Sequence, residues 1–243
     1  MDIINKRVIE SFDTNRFPFK EIFADHLEMS FENLSSLHEH LPDFSPNEVV
    51  TVENDQNQKI YDHLYKIDQG YNFNHGVFKP GKFLTVFQDF VNFIAEKYFE
   101  EDLVYQKKPT LRVMFPNNKA VGGWHRDREY NHPIEEINMW VPITDANNTN
   151  TIWTESSFDK LDYSPANVDY GNFLIFDSGL MHGNQINIEN KTRISFDFRV
   201  IPKSLYKENN ESSFSQNIDF KIDEYYAITN LGNINNKTKM EKS

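Results

Sequence analysis

The chain has 243 residues, 38% of them hydrophobic and 26% charged, a balance that fits one sizeable domain with a core large enough to need no covalent staples. It contains no cysteine, which excludes disulfides, thiolate metal sites, iron–sulfur clusters and cysteine nucleophiles, and weakly favours the cytoplasm. A formal net charge of −12 without a dense Lys/Arg cluster argues against nucleic acid or an anionic membrane surface as a partner.

The opening segment lacks the apolar run of a signal peptide, and no stretch approaches the roughly 18 apolar residues that a membrane span needs. The first hundred residues read as mainly helical. Residues 20–41 carry apolar side chains near helical spacing, and 59–67 form a shorter stretch. The clearest helix starts near Pro80 and Gly81. Its Phe83, Leu84, Phe87, Phe90, Val91, Ile94, Tyr98 and Phe99 make one broad apolar face, which must be buried against a sheet.

From about residue 104 the texture changes to short β-rich runs separated by turn residues. Strands are predicted at 111–115, 122–127, 137–143, 151–155, 172–176, 182–187 and 193–201, with a weaker one near 161–164. That spacing suggests a barrel or double-sheet jelly roll. Helices before strands suggest an α+β fold with the N-terminal helices packed on one sheet. The expected organisation is a single domain over 1–228, with a mainly helical part at 1–103, a strand-rich core at 104–202 and an extension at 203–228. The polar residues 229–243 are expected to be a disordered tail.

The segment GWHRDREY places His125 and Asp127 two apart on a predicted strand, so an imidazole and a carboxylate share a face, about 7 Å apart along the backbone. His182, in LMHGN, opens another strand and supplies a third ligand type. Two His and one carboxylate leave open positions on an octahedral metal, the arrangement of non-haem Fe(II) oxygenases. A lone His-x-Asp is weak evidence, but the strand at 193–201 adds to it. Residues 193, 195, 197 and 199 share one face, while Phe196, Phe198 and Val200 share the other and suit packing on helices. The first face places two Arg, a Ser and an Asp in the interior, which is costly unless they bind something. A dicarboxylate such as 2-oxoglutarate is the natural guest for a guanidinium.

The order His-x-Asp, 54 residues, His, ten residues, Arg-x-Ser resembles the Fe(II)/2-oxoglutarate-dependent dioxygenase superfamily. The longer strings HRDREYNHPIEEINMWVPITDANNTNTIWTES and GNFLIFDSGLMHGNQINIENKTRISFDFR, within about 110–202, resemble the StrG-type oxygenases of streptomycin biosynthesis. The resemblance implies a double-stranded β-helix (jelly-roll, cupin-like) fold using Fe(II), 2-oxoglutarate and O2. It implies His125, Asp127 and His182 as iron ligands and catalytic centre, and Arg193 as the anchor of the 2-oxoglutarate carboxylate, helped by Ser195. Halogenating relatives lack the carboxylate ligand, so Asp127 favours hydroxylation or a related oxidation. The implied substrate is a small polar metabolite such as an amino sugar or aminocyclitol.

Other positions stay open between roles. Asn138 and Trp140 share one face of their strand, with Ile137, Met139 and Val141 on the other. Asn138 suits either a hydrogen bond to 2-oxoglutarate or a structural role. Arg112 suits a contact with 2-oxoglutarate or an anionic substrate, or a surface salt bridge. Arg126, Arg128, Glu129 and Tyr130 flank the motif and suit either a substrate mouth or an exposed loop. Trp140 is a further substrate candidate. Arg199 is a rival anchor, less favoured because it lies deeper in its strand. His26, His38, His40, His63, His75 and His132 are expected not to be ligands. A cupin-like metal-binding isomerase or non-catalytic sensor is one alternative, against which Arg193 argues, and a purely structural barrel, which metal content would decide, is another. Oligomeric state is not encoded in any readable motif.

Overall fold

A computed structural model describes residues 5–40, 81–119, 123–208, 211–213 and 218–232. The helix expected at 59–67 lies outside these residues, as do His63 and His75. Among the described residues no helix is long and apolar enough to cross a membrane.

The helices are α1 (Phe19–His26), α2 (Leu37–His40) and α3 (Lys82–Ile94), the last continued by a π-helical turn over Ala95–Phe99. The strands are β1 (Arg7–Ser11), β2 (Leu103–Gln106), β3 (Thr110–Met114), β4 (Ile137–Pro142), β5 (Trp153–Thr154), β6 (Ser164–Pro165), β7 (Asn172–Asp177), β8 (His182–Gly183), β9 (Arg193–Pro202) and β10 (Tyr226–Ile228). One antiparallel sheet of seven strands runs β1-β7-β4-β9-β2-β10, with β3 also paired to the first half of β9. A second sheet of three short strands runs β6-β5-β8.

The apolar stripe of α3 behaves as its period predicts. Phe83, Phe87, Phe90, Val91 and Ile94 are buried against the large sheet. Phe87 meets Phe198 edge-on at 4.9 Å, and Phe83 meets Phe196 at 5.3 Å. The alternation along β4 and β9 holds as well. Met139, Val141, Phe196, Phe198 and Val200 join this helix-side core. Trp140 turns to the other face, where it packs with Ile152, Leu174 and Phe176. The expected α+β character is therefore present, and the space between the two sheets holds the site.

Two expectations are corrected. The helix over 20–41 is broken after Leu27, because Glu28 takes a left-handed φ of 51° and Ser30 is extended, so Phe31–Ser36 forms only 3-10 turns. Within the part expected to be mainly helical, β1 forms the edge of the large sheet on β7. The strand expected at 122–127 is not formed among the described residues: His125 makes a single bridge with His182, and Asp127 already starts a 3-10 turn, Asp127–Tyr130. Within the expected extension at 203–228, β10 pairs with β2. Ordered contacts continue past 228: Thr229 N–H donates to the Leu103 carbonyl at 2.9 Å, and Leu231 N–H to Asp102 at 2.9 Å. The rest of the expected tail, from 233, lies outside the described residues.

Candidate metal centre and dicarboxylate pocket

His125 and His182 enter the site on a mutual backbone bridge, each N–H donating to the other's carbonyl at 3.0 Å. Asp127 follows from the 3-10 turn, with its N–H donating to the Ser178 carbonyl at 3.2 Å. The side chains converge although strand parity is not the reason. Asp127 Oδ1 lies 3.3 Å from His125 Nε2 and 3.5 Å from His182 Nε2. One ligand atom from each residue lies within 4.8 Å of the others. Two donors each about 2.1 Å from an ion and at right angles sit roughly 3 Å apart, so the spacing fits three positions on one side of a metal.

Both imidazoles are oriented from behind. His125 Nδ1 faces the Gly123 carbonyl at 2.8 Å and His182 Nδ1 faces the Leu180 carbonyl at 3.0 Å. A carbonyl only accepts, so Nδ1 carries the hydrogen and Nε2 presents its lone pair inward. Three acceptors then face one another, and only a cation or added protons can reconcile them. The third ligand candidate is oriented too: Arg199 donates from Nε and Nη2 to Asp127 Oδ2, both at 3.2 Å, leaving Oδ1 for the cluster.

The electrostatics follow. Burial, the largest single effect, opposes the charge of Asp127, but Arg199 together with His125, His182 and His132 outweighs it and holds the carboxyl well below the usual range. Burial also dominates at His182 and pushes it down, favouring the neutral ring a metal needs. At His125 burial opposes the protonated ring, but the Asp127 carboxylate and the Gly123 carbonyl favour it more, and the group is raised.

Beside the triad, a pocket is lined by Arg112, His125, Asn138, Trp140, His182, Asn184, Arg193, Asp197 and Arg199, among others. Arg193 is fully buried, donates to Asn184 Oδ1 at 3.1 Å, and lies 5.6 Å from the centre of the Trp140 ring. The Ser195 hydroxyl is buried and has no hydrogen-bond partner among the described residues. A buried cation and two amides in the pocket, with an unsatisfied hydroxyl on the same face of β9, suit a ligand with carboxylate oxygens.

The structure thus brings His125, Asp127, His182, Asn138, Trp140, Arg193 and Arg112 to one place, with Ser195 on the same face of β9. Arg128 and Tyr130 do not line the pocket. Arg128 donates to Asp177 Oδ1 at 2.7 Å and to the Ile134 carbonyl at 3.2 Å, away from any guest. Tyr130 is exposed, with its ring 5.4 Å from that of His125, at the rim. Arg112 is held by Asp197 at 2.8 Å, and Arg199, the rival anchor, is committed to Asp127. Of the other histidines, His38 is buried with Nδ1 2.8 Å from Thr192 Oγ1, and His132 Nδ1 lies 2.7 Å from the buried Glu136. Sequence reasoning did not assign Asn184, Asp197 or the clamp of Arg199 on Asp127. The parity of β9 had put Asp197 and Arg199 in the interior, but their partners are remote in sequence.

No protein-family model matches the chain. Over 129 residues it is 41% identical to the streptomycin biosynthesis protein StrG of Streptomyces griseus, a match covering 52% of this chain and 61% of StrG. The chain thus spans about three fifths of the length of that relative. Among solved structures, the nickel complex of the non-heme monooxygenase ThoJ superposes with a TM-score of 0.52 at 13% identity, covering 86% of this chain and 78% of ThoJ. SnoK, a non-heme alpha-ketoglutarate-dependent carbocyclase from nogalamycin biosynthesis, superposes with a TM-score of 0.51 at 10% identity, covering 93% of this chain and 92% of SnoK. By sequence the chain is a homologue of StrG over the matched residues, and by fold it resembles ThoJ and SnoK.

Proposed function

We propose that the chain is an Fe(II)- and 2-oxoglutarate-dependent oxygenase, built on a double-stranded β-helix over about residues 1–228, that hydroxylates a small polar metabolite such as an amino sugar or aminocyclitol. The observation that carries the reading is the convergence of three lone-pair donors, His125 Nε2, Asp127 Oδ1 and His182 Nε2, beside a pocket that holds a buried arginine. The homology to StrG and the fold shared with ThoJ and SnoK support it.

In this reading His125, Asp127 and His182 hold the iron, and Arg193 grips the distal carboxylate of 2-oxoglutarate, with Ser195 and Asn138 as further hydrogen-bonding groups. When bound, iron and 2-oxoglutarate supply, with O2, the oxidising power to functionalise a C–H bond, with succinate and CO2 as co-products. The protein's own part is orientation and exclusion of water. The carbonyls of Gly123 and Leu180 fix the two imidazoles, and Arg199 keeps Asp127 ionised and turned. Leu174, Phe176, Ile152 and Trp140 form the apolar wall between the sheets and shield the site. We assign Arg112 and Trp140, which line the pocket, and Tyr130 at its rim to the substrate side. A buried guanidinium such as that of Arg193 suits a carboxylate, which favours an oxygenase over an isomerase or sensor, which need no such anchor.

The test is anaerobic reconstitution with Fe(II) and 2-oxoglutarate, followed by O2 and a panel of amino sugars and aminocyclitols. A weak visible charge-transfer band and succinate release are expected. Absence of the band together with absence of both uncoupled and substrate-driven succinate rejects the reading.

A further inference from the structure

Two arginines alternate with the ligand candidates in His125-Arg126-Asp127-Arg128, and neither lines the pocket. Both reach the turn that delivers His182. Arg126 donates from Nε to the Gly179 carbonyl at 3.0 Å and from Nη2 to Glu155 Oε1 at 3.2 Å. Glu155 is fully buried, and the same oxygen accepts the Met181 N–H at 2.7 Å, one residue before His182. Its own N–H donates to the Met181 carbonyl at 3.0 Å. Arg128 donates from Nη2 to Asp177 Oδ1 at 2.7 Å, and that oxygen also accepts the Gly179 N–H at 2.7 Å. The Arg128 guanidinium lies so close on Gly179 that a Cβ there would sit 2.4 Å from Nη1.

These contacts matter because the centre is assembled from two segments far apart in sequence. Directly between ligand residues, the backbone supplies only the His125–His182 bridge, and the inward lone pairs repel one another. Neither arginine is available for an anionic guest. Arg126 also meets Asp159 at 2.9 Å, and Arg128 is committed to Asp177 and the Ile134 carbonyl. The alternation divides the labour within four residues: the odd positions 125 and 127 face the centre, and the even positions 126 and 128 hold the opposite segment.

We propose that Arg126 and Arg128 are positioning residues that lock residues 177–181 so that His182 Nε2 stands in register with His125 and Asp127 before a metal arrives. The proposal rests on the metal-centre reading above. Ligand-orienting contacts of this kind typically alter metal affinity by about 10- to 100-fold when removed.

The experiment is a titration of the full chain with Co(II) in the absence of O2, reading affinity by chelator competition and geometry by visible absorption, alongside thermal melting of the metal-free chain. Arg126→Gln, Arg128→Gln and Gly179→Ala are expected to weaken Co(II) by about 10-fold or more and to alter the absorption band. Arg126→Lys is expected to recover part of the loss. Asp159→Asn, which removes only an exposed partner of Arg126, is expected to bind as wild type. A purely structural role would lower the melting temperature and leave Co(II) affinity of the folded chain alone. Wild-type Co(II) affinity in folded Arg126→Gln and Gly179→Ala overturns the proposal. Should Arg126→Gln fail to fold, Gly179→Ala decides, since it keeps every charge and displaces only the end of a flexible side chain. Failure of the wild type to bind Co(II) overturns the metal-centre reading, and this proposal with it, before any variant is compared.

Discussion

The two faces of β9 are both largely buried but are made of opposite materials. Phe196, Phe198 and Val200 lie in the helix-side core, and Phe198 meets Phe87 at 4.9 Å. On the opposite face, Arg193 and Ser195 are as inaccessible as the phenylalanines, with Asp197 and Arg199 partly buried beside them. Burying a Phe contributes about 1.5–3 kcal/mol. Burying a guanidinium costs free energy unless every charge is met. One face of the strand therefore holds the fold together. The other keeps charges indoors, where under the proposed function a metal carboxylate and a dicarboxylate guest would use them.

If that division is right, substitutions on the two faces have separable consequences. The largest is expected at the centre that the polar face supports. Asp127→Ala should lower turnover by roughly a thousandfold or more and weaken the metal, because the charged ligand is gone; metal-dependent succinate release near wild type would sink the assignment. Next comes the apolar face. Phe198→Ala should cost about 3–5 kcal/mol of stability while leaving the 2-oxoglutarate KM of the folded fraction unchanged. Urea unfolding and steady-state kinetics at low temperature check both halves, and a shifted KM would blur the division. Arg193→Ala should raise the 2-oxoglutarate KM on the order of 100-fold with Co(II) still bound at near wild-type affinity. Full activity of that variant at low 2-oxoglutarate would remove Arg193 as the anchor.

How legible this was depends on range. The α3 stripe and the parity of β4 and β9 are local periodicities, and each was readable from spacing alone. The triad was readable as residue types, but for a partly mistaken reason. Strand parity was expected to align His125 with Asp127, whereas a 3-10 turn beginning at Asp127 does so. The short strands β1 and β10 gave too few residues to show a period, and they form only because the large sheet offers them an edge. Arg199 looked like a second anchor since its face was known and its partner was not: Asp127 is 72 positions away in sequence. The same limit hid Arg126 and Arg128, whose acceptors are carbonyls and carboxylates of remote loops.

The smallest expected effect tests whether the polar face also contributes to stability. Asp197 accepts from Arg112 at 2.8 Å and from Arg199 at 3.3 Å. Burial and the nearby Asp127 oppose its charge, but the two arginines outweigh them and hold the carboxyl below its ordinary value. An unfolded Asp titrates near about 3.9. A folded value below that means the ionised group contributes stability above roughly pH 4, lost as pH falls through the folded value. Asp197→Asn should therefore be less stable than wild type at pH 7, on the order of 1 kcal/mol for a partly exposed pair. The gap should shrink as the wild-type carboxyl itself becomes protonated. Urea unfolding of the metal-free proteins at pH 7 and near pH 3 measures it. A gap that stays constant across that range would mean that the shape of the side chain matters there rather than its charge, and the polar face would then hold its charges for function alone.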